Sequence, residues 1–98
     1  MNIQALMKQA QKMQKDMMQS KEEIDKMEFS SETSFVKITA TGDKKINSVK
    51  IDKDMLDSDD IEILEDLLQV TMNDVLCKIE KVTEEKMGKY AQGMPGLF

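Results

Sequence analysis

Histidine, arginine and tryptophan are absent from this 98-residue chain, and cysteine and proline occur once each. Each absence removes a class of chemistry. Without imidazole there is no side chain that titrates near neutral pH in its ordinary state, no catalytic triad and almost no zinc pattern. Cys77 alone can form neither an internal disulfide nor a redox pair, and its place in an apolar helical pattern reads as a small buried hydrophobe. The four glycines, at 42, 88, 93 and 96, lie too far apart to cradle a phosphate, so nucleotide hydrolysis has no support. Neighbouring carboxylates occur at Glu22/Glu23, Asp59/Asp60, Glu65/Asp66 and Glu84/Glu85, but successive helical residues point about 100° apart, so these read as solvated faces. We expect no catalytic residues, metal, cofactor or small-molecule substrate.

Aromatics are scarce too, at three Phe and one Tyr, so a core must come from Ile, Leu, Val and the ten Met residues. No segment approaches the roughly 20 apolar residues that span a bilayer, and the opening residues lack the apolar run of a signal peptide. No membrane segment and a cytoplasmic location are therefore expected. Every basic residue is Lys, a mobile point charge without the planar fork that reads guanine edges, which argues against sequence-specific base readout. The net charge of -5, taken alone, argues against a strongly nucleic-acid-binding surface. It conceals an uneven distribution. Residues 1–15 carry Lys8, Lys12 and Lys15 with no acid, whereas residues 52–66 carry Asp52, Asp54, Asp57, Asp59, Asp60, Glu62, Glu65 and Asp66 against Lys53 alone.

What is present begins with Phe35–Asp52, where apolar residues recur at every second position. Val36, Ile38 and Ala40 alternate with Lys37, Thr39 and Thr41, and Val49 and Ile51 alternate with Lys50 and Asp52, around a Thr41-Gly42-Asp43-Lys44 turn. This predicts a β-hairpin with one apolar face. Ile46 has the wrong parity to join Val49 and Ile51, which requires a bulge beside the turn or a contact on the second face. A lone hairpin is marginal in water, so helices or another chain must cover it.

Asn2 to about Met27 has neither Gly nor Pro, and Ile3, Leu6, Ala10, Met13, Met17, Ser20, Ile24 and Met27 step by three and four. That heptad seam predicts a helix of roughly 39 Å, longer than so small a globule can wrap, so part of it should project or meet a partner. The seam is Met-rich and adaptable, which suits intramolecular packing or a loose dimer contact. Glu28–Ser34 is polar and reads as a connector or a short edge strand; periodicity does not decide. After a link at Lys53–Leu56, the Asp57-Ser58-Asp59-Asp60 cluster marks a helix start. From Ile61, a broad apolar face through Leu64, Leu67, Leu68, Met72, Val75, Leu76, Ile79 and Val82 predicts the floor of the sheet. Lys86 falls where the stripe needs an apolar residue, so the last turns are expected to leave the core. Gly88 or Gly93 can end the helix, and residues 91–98 read as a flexible tail.

One surface carries candidate chemistry. Lys8, Lys12 and Lys15, at i, i+4 and i+7, form a stripe opposite the seam that either tracks phosphates or simply solubilises the helix. Lys78, Lys81, Lys86 and Lys89 are interleaved with Glu80, Glu84 and Glu85 and read more readily as salt-bridged helix surface.

With these residues in view, the chain resembles the YbaB/EbfC family of bacterial nucleoid-associated proteins over nearly its whole length. Four blocks carry the resemblance: LMKQAQKMQKDM at Leu6–Met17, VKITATGDKKINSVKID at Val36–Asp52, LEDLLQVTMNDV at Leu64–Val75, and M-x5-G-M-P-G from Met87 to Gly96. It implies an α+β fold with a long N-terminal helix, a small antiparallel sheet of about three strands and a long C-terminal helix, paired as an intertwined homodimer whose projecting helices grip duplex DNA. It makes Glu28–Ser34 the first strand and the whole of 1–98 one domain: helix 1–27, sheet 28–52, helical 57–90. It also makes the terminal helices the DNA-contacting parts, which points to Lys8, Lys12 and Lys15, and more weakly to Lys78, Lys81, Lys86 and Lys89. The acidic balance and the lack of Arg then imply weak, salt-sensitive DNA association. The alternative is a Met-rich dimeric protein-interaction module with no nucleic-acid role. On either reading the long apolar faces exceed what one hairpin covers, and Val36, Ile38, Val49, Ile51, Leu64, Leu67, Leu68 and Val75 are the expected core and dimer interface.

Overall fold

The computed structural model describes residues 2–52, 54 and 57–93, the last three by backbone alone. Its elements run α1 (Ile3–Lys26), β1 (Glu28–Thr33), β2 (Val36–Thr41), β3 (Ile46–Ile51) and α2 (Ile61–Gly93). The fold is α+β, two long helices flanking a three-stranded antiparallel sheet of order β1-β2-β3.

Local chemistry sets the boundaries. The Asn2 side-chain oxygen accepts from the N–H groups of Gln4 and Ala5 at 3.1 and 3.3 Å, capping amides that α1 cannot satisfy internally. α1 ends where Met27 turns extended, and β1 starts at the next residue. The polar Glu28–Ser34 segment is thus a strand, with Ser34 taking a positive φ of 53° in the tight turn to β2. The parity of Ile46 is resolved by a bulge: Thr39 pairs with Ser48 but Ala40 with Ile46, leaving Asn47 as the extra residue. The acidic cluster does precede α2, with the Asp60 carbonyl accepting from Leu64 N–H at 2.8 Å. Of the two candidate stops, Gly93 is the last helical residue and Gly88 lies inside the helix. Of the flexible tail expected over residues 91–98, residues 91–93 continue α2 instead, because Gly93 and not Gly88 is the last helical residue, and residues 94–98 lie outside the described residues, as does most of the Lys53–Leu56 link.

The main core joins Phe29, Phe35, Val36, Ile38 and Ala40 of the β1–β2 region to Val75 and Ile79 of α2, with Leu64, Leu67, Leu68, Leu76 and Val82 packed around them. α2 contacts β1 and β2 and leaves β3 uncovered. The last turns of α2 do not leave the core, contrary to the expectation from Lys86. They leave the sheet and pack on α1, where Met87 and Tyr90 meet Ile24, flanked by Met13 and Met17. The inward row continues through half-buried Thr83, whose hydroxyl donates to the Ile79 carbonyl, to buried Met87 and Tyr90 instead of Lys86, as a 3.6-residue period allows. Cys77 is exposed, since it lies two residues and about 200° around the helix from buried Val75.

Gly42 fixes where α1 meets the hairpin. Its N–H donates to the Met27 carbonyl at 3.0 Å, and a Cβ there would sit 1.8 Å from the Ile24 carbonyl oxygen. Only glycine permits so close an approach. The result is long and thin, 71 × 20 × 14 Å with a radius of gyration of 19.4 Å. A compact domain of this length has a radius of gyration near 13 Å. Among the described residues no helix is long and apolar enough to cross a membrane.

Candidate nucleic-acid interface

α1 projects because its seam is only half used. Met13, Met17, Ser20 and Ile24 face α2 and the hairpin turn, whereas Ile3, Leu6 and Ala10 are exposed. Lys8, Lys12 and Lys15 stand on the other side of this arm, all exposed, with Gln4 and Gln11 beside them and Asp16 the first acid of the chain. Successive charges one helical turn apart form a positive edge with nothing on α1 before residue 16 to neutralise it.

α2 contributes two kinds of lysine. Lys81, Lys86 and Lys89 are exposed, and Lys89 Nζ lies 5.0 Å from the centroid of the Tyr90 ring, a cation–π contact at the α1–α2 seam. Lys89 and Tyr90 also share an open groove with Gln9, Lys12, Met13 and Asp16, so the packing of α1 on α2 brings Lys12 and Lys89 from opposite ends of the sequence to one place.

Lys78 has a different setting. Its Nζ donates to the Ser30 carbonyl at 2.8 Å and lies 3.5 Å from Asp74, whose other partner is the Ser31 hydroxyl, donating at 2.6 Å. The Ser31 bond, helped by the Lys78 and Lys81 charges, holds the Asp74 carboxyl below its ordinary value. This cluster fastens β1 to α2, and sequence reading missed it because its partners lie more than 40 residues apart. Lys78 therefore spends donors inside the chain that the arm lysines keep free.

The expected core and interface residues divide in the same way. Val36, Ile38 and Val75 are buried, and Leu64, Leu67 and Leu68 are half-buried against them. Val49 and Ile51 are 45% and 38% exposed, and Ile46 is 38% exposed, although register places all three on the face that α2 covers elsewhere. Ile61, Ile63 and Val70 of α2 are more than half exposed. Apolar surface on β3 and on α2 is thus left uncovered.

Sequence reading also passed over the lysines of the hairpin. Lys37 pairs with Lys50 across β2 and β3, a juxtaposition visible only once the register is known.

Comparison with known proteins gives one consistent answer. A family model described as the YbaB/EbfC DNA-binding family matches residues 1–94. A protein of Enterococcus faecalis named nucleoid-associated protein is 44% identical over 98 residues, covering 98% of this chain and 94% of the relative. One of the same name from Lactococcus lactis subsp. cremoris MG1363 is 44% identical, covering 97% of this chain and 98% of the relative. A third, from Ligilactobacillus salivarius, is 39% identical over 99% of this chain and 95% of its own length.

Proposed function

Since the chain belongs to the YbaB/EbfC DNA-binding family, we propose that it works as a nucleoid-associated, non-catalytic homodimer of the cytoplasm that holds duplex DNA by lysine contacts to phosphates. The observation that carries the reading is the projecting arm of α1, where Lys8, Lys12 and Lys15 share one exposed side with no acid before Asp16. Lysine heads on such an edge neutralise phosphates wherever these fall, so affinity comes from counterion release and carries little sequence information. Lys89, beside Lys12, extends the contact to α2, and Lys81 and Lys86 supply weaker support. Lys78 belongs to the same set with its donors shared with β1.

Dimerisation is supported by the uncovered apolar surface. If each protomer gives a partner about 800 Å² of it, transfer at about 25 cal/mol/Å² contributes of order 20 kcal/mol per protomer before association and ordering costs. Val49 and Ile51, with the exposed flank of α2, are the residues such a partner would cover, and Leu64, Leu67 and Leu68 lie beneath that seam. Twofold symmetry would set two lysine arms on one particle, so a duplex meets both together.

The test is charge reversal. Lys8→Glu/Lys12→Glu/Lys15→Glu is expected to lose duplex binding in a titration while sedimenting as a dimer. A variant that binds DNA as tightly as the parent would overturn the assignment and favour a protein-interaction module.

A further inference from the structure

We propose that the open face of the sheet is a second phosphate-binding surface, a ribbon of lysines and hydroxyls on β2 and β3 that lies along the backbone of the bound duplex. The inference rests on the DNA-binding reading above and adds a contact surface outside the terminal helices.

α2 covers one face of the sheet, and the alternate side chains of each strand stand on the other. On that open face Lys37 lies directly opposite Lys50, and Thr39 directly opposite Ser48. Like charges at directly opposed positions weaken an antiparallel pair, and a carboxylate at either site would have removed the repulsion. Both lysines are exposed, and among the described residues neither has an acid within 4 Å, Glu32 across from Lys37 included. Glu32, directly opposite Lys37 on β1, offsets part of the repulsion, and an anion brought from outside would offset what remains at Lys50.

The neighbouring row fits the same partner. The Thr39 and Ser48 hydroxyl oxygens are 2.5 Å apart, so one donates to the other and the second keeps its proton for an outside acceptor. Lys44 and Lys45 follow at the turn, where Asp43 is engaged by the Thr41 hydroxyl and the Lys45 N–H. From Lys37 to Thr41 the strand runs roughly 13 Å at about 3.3 Å per residue, with Lys44 and Lys45 at the turn beyond it, so cations stand at both ends and hydroxyls between. Lysine, serine and threonine are among the side chains that supply phosphate contacts. In a chain of net charge -5, the segment 36–52 holds Lys37, Lys44, Lys45 and Lys50 against Asp43 and Asp52 alone. The ribbon leads to the turn where Gly42 is bonded to the end of α1, and so to the helix that carries the arm lysines.

The competing account is that Lys37 and Lys50 only keep an edge hairpin soluble. The experiment compares duplex titrations over a series of salt concentrations for the parent protein, Lys37→Gln/Lys50→Gln, each single variant, and Lys21→Gln. Lys21 is ion-paired with Asp25 on α1, and its loss is charge-matched to each single variant. At about 0.9 per neutralised phosphate, the double variant should make the log-log salt slope shallower by about 1.8 per protomer, with no fall in thermal midpoint, while Lys21→Gln keeps the parent slope. A double variant with the parent slope overturns the ribbon and leaves the DNA-binding reading intact. A parent protein that fails to bind duplex even at low salt overturns both.

Discussion

β2 and β3 carry the same alternation and turn the same face toward α2, yet Val36 and Ile38 are fully buried while their partners Ile51 and Val49 are about two-fifths exposed. The difference lies in what lies over each strand. α2 crosses β1 and β2 and stops short of β3, so an identical pattern is a finished core on one strand and an open surface on the next. Alternation states which face is apolar; it does not state whose side chains cover it. The same division runs along α1, whose seam is closed by Met87 and Tyr90 at its C-terminal half and open at Ile3 and Leu6.

The largest effect is expected on the buried side. Ile38→Ala removes a fully buried branched side chain and should cost about 2–5 kcal/mol in denaturant unfolding at fixed protein concentration. A loss under 1 kcal/mol would mean that β2 is no better covered than β3. Gly42→Ala comes next: with the Ile24 carbonyl in the way, α1 must shift, at a cost of about 1–3 kcal/mol and with lost amide protection at the Gly42–Met27 bond. On the open side, Val49→Asp should leave helical content near the parent value while the sedimentation mass falls toward the 11.2 kDa of one chain. For the proposed dimer, a variant mass equal to that of a dimeric parent would place the interface elsewhere, and a parent at 11.2 kDa would remove the dimer itself.

The smallest effect is a pH dependence at the β1–α2 fastening. Because the Ser31 hydroxyl, and then Lys78, hold Asp74 below its ordinary value, this contribution is complete above the usual aspartate range. It is lost as pH falls from about 4 through the folded-state value. Asp74→Asn should flatten that acid limb of the thermal midpoint against pH. An unchanged limb would show the fastening to be energetically silent.

Much of this was legible in the chain. Both helices, the hairpin, the parity break at Ile46 and the helix start after Asp60 followed from period, parity and capping, which are local, while the choice of a bulge over a second-face contact at Ile46 needed the register. Periodicity left β1 open between a connector and a short edge strand, and the family resemblance made it the first strand, since Glu28–Ser34 is polar on its open face and its buried positions are Phe29 and Ser31, too few for a visible alternation. The fate of the last turns of α2 was missed because Lys86 interrupts the expected row, while Met87 and Tyr90 acquire their role only when α1 folds back beside them. For the candidate site, the arm lysines were visible as a stripe. The distinct role of Lys78 and the Lys37–Lys50 pair depended on partners that only tertiary register supplies.

If lysines against phosphates supply the affinity for DNA, duplex binding by the unaltered protein must fall steeply with salt. Three arm lysines on each of two protomers predict a log-log slope no shallower than about -5, so affinity should fall roughly a thousandfold between 50 and 200 mM monovalent salt. Duplex binding that stays nearly constant across that range would contradict it.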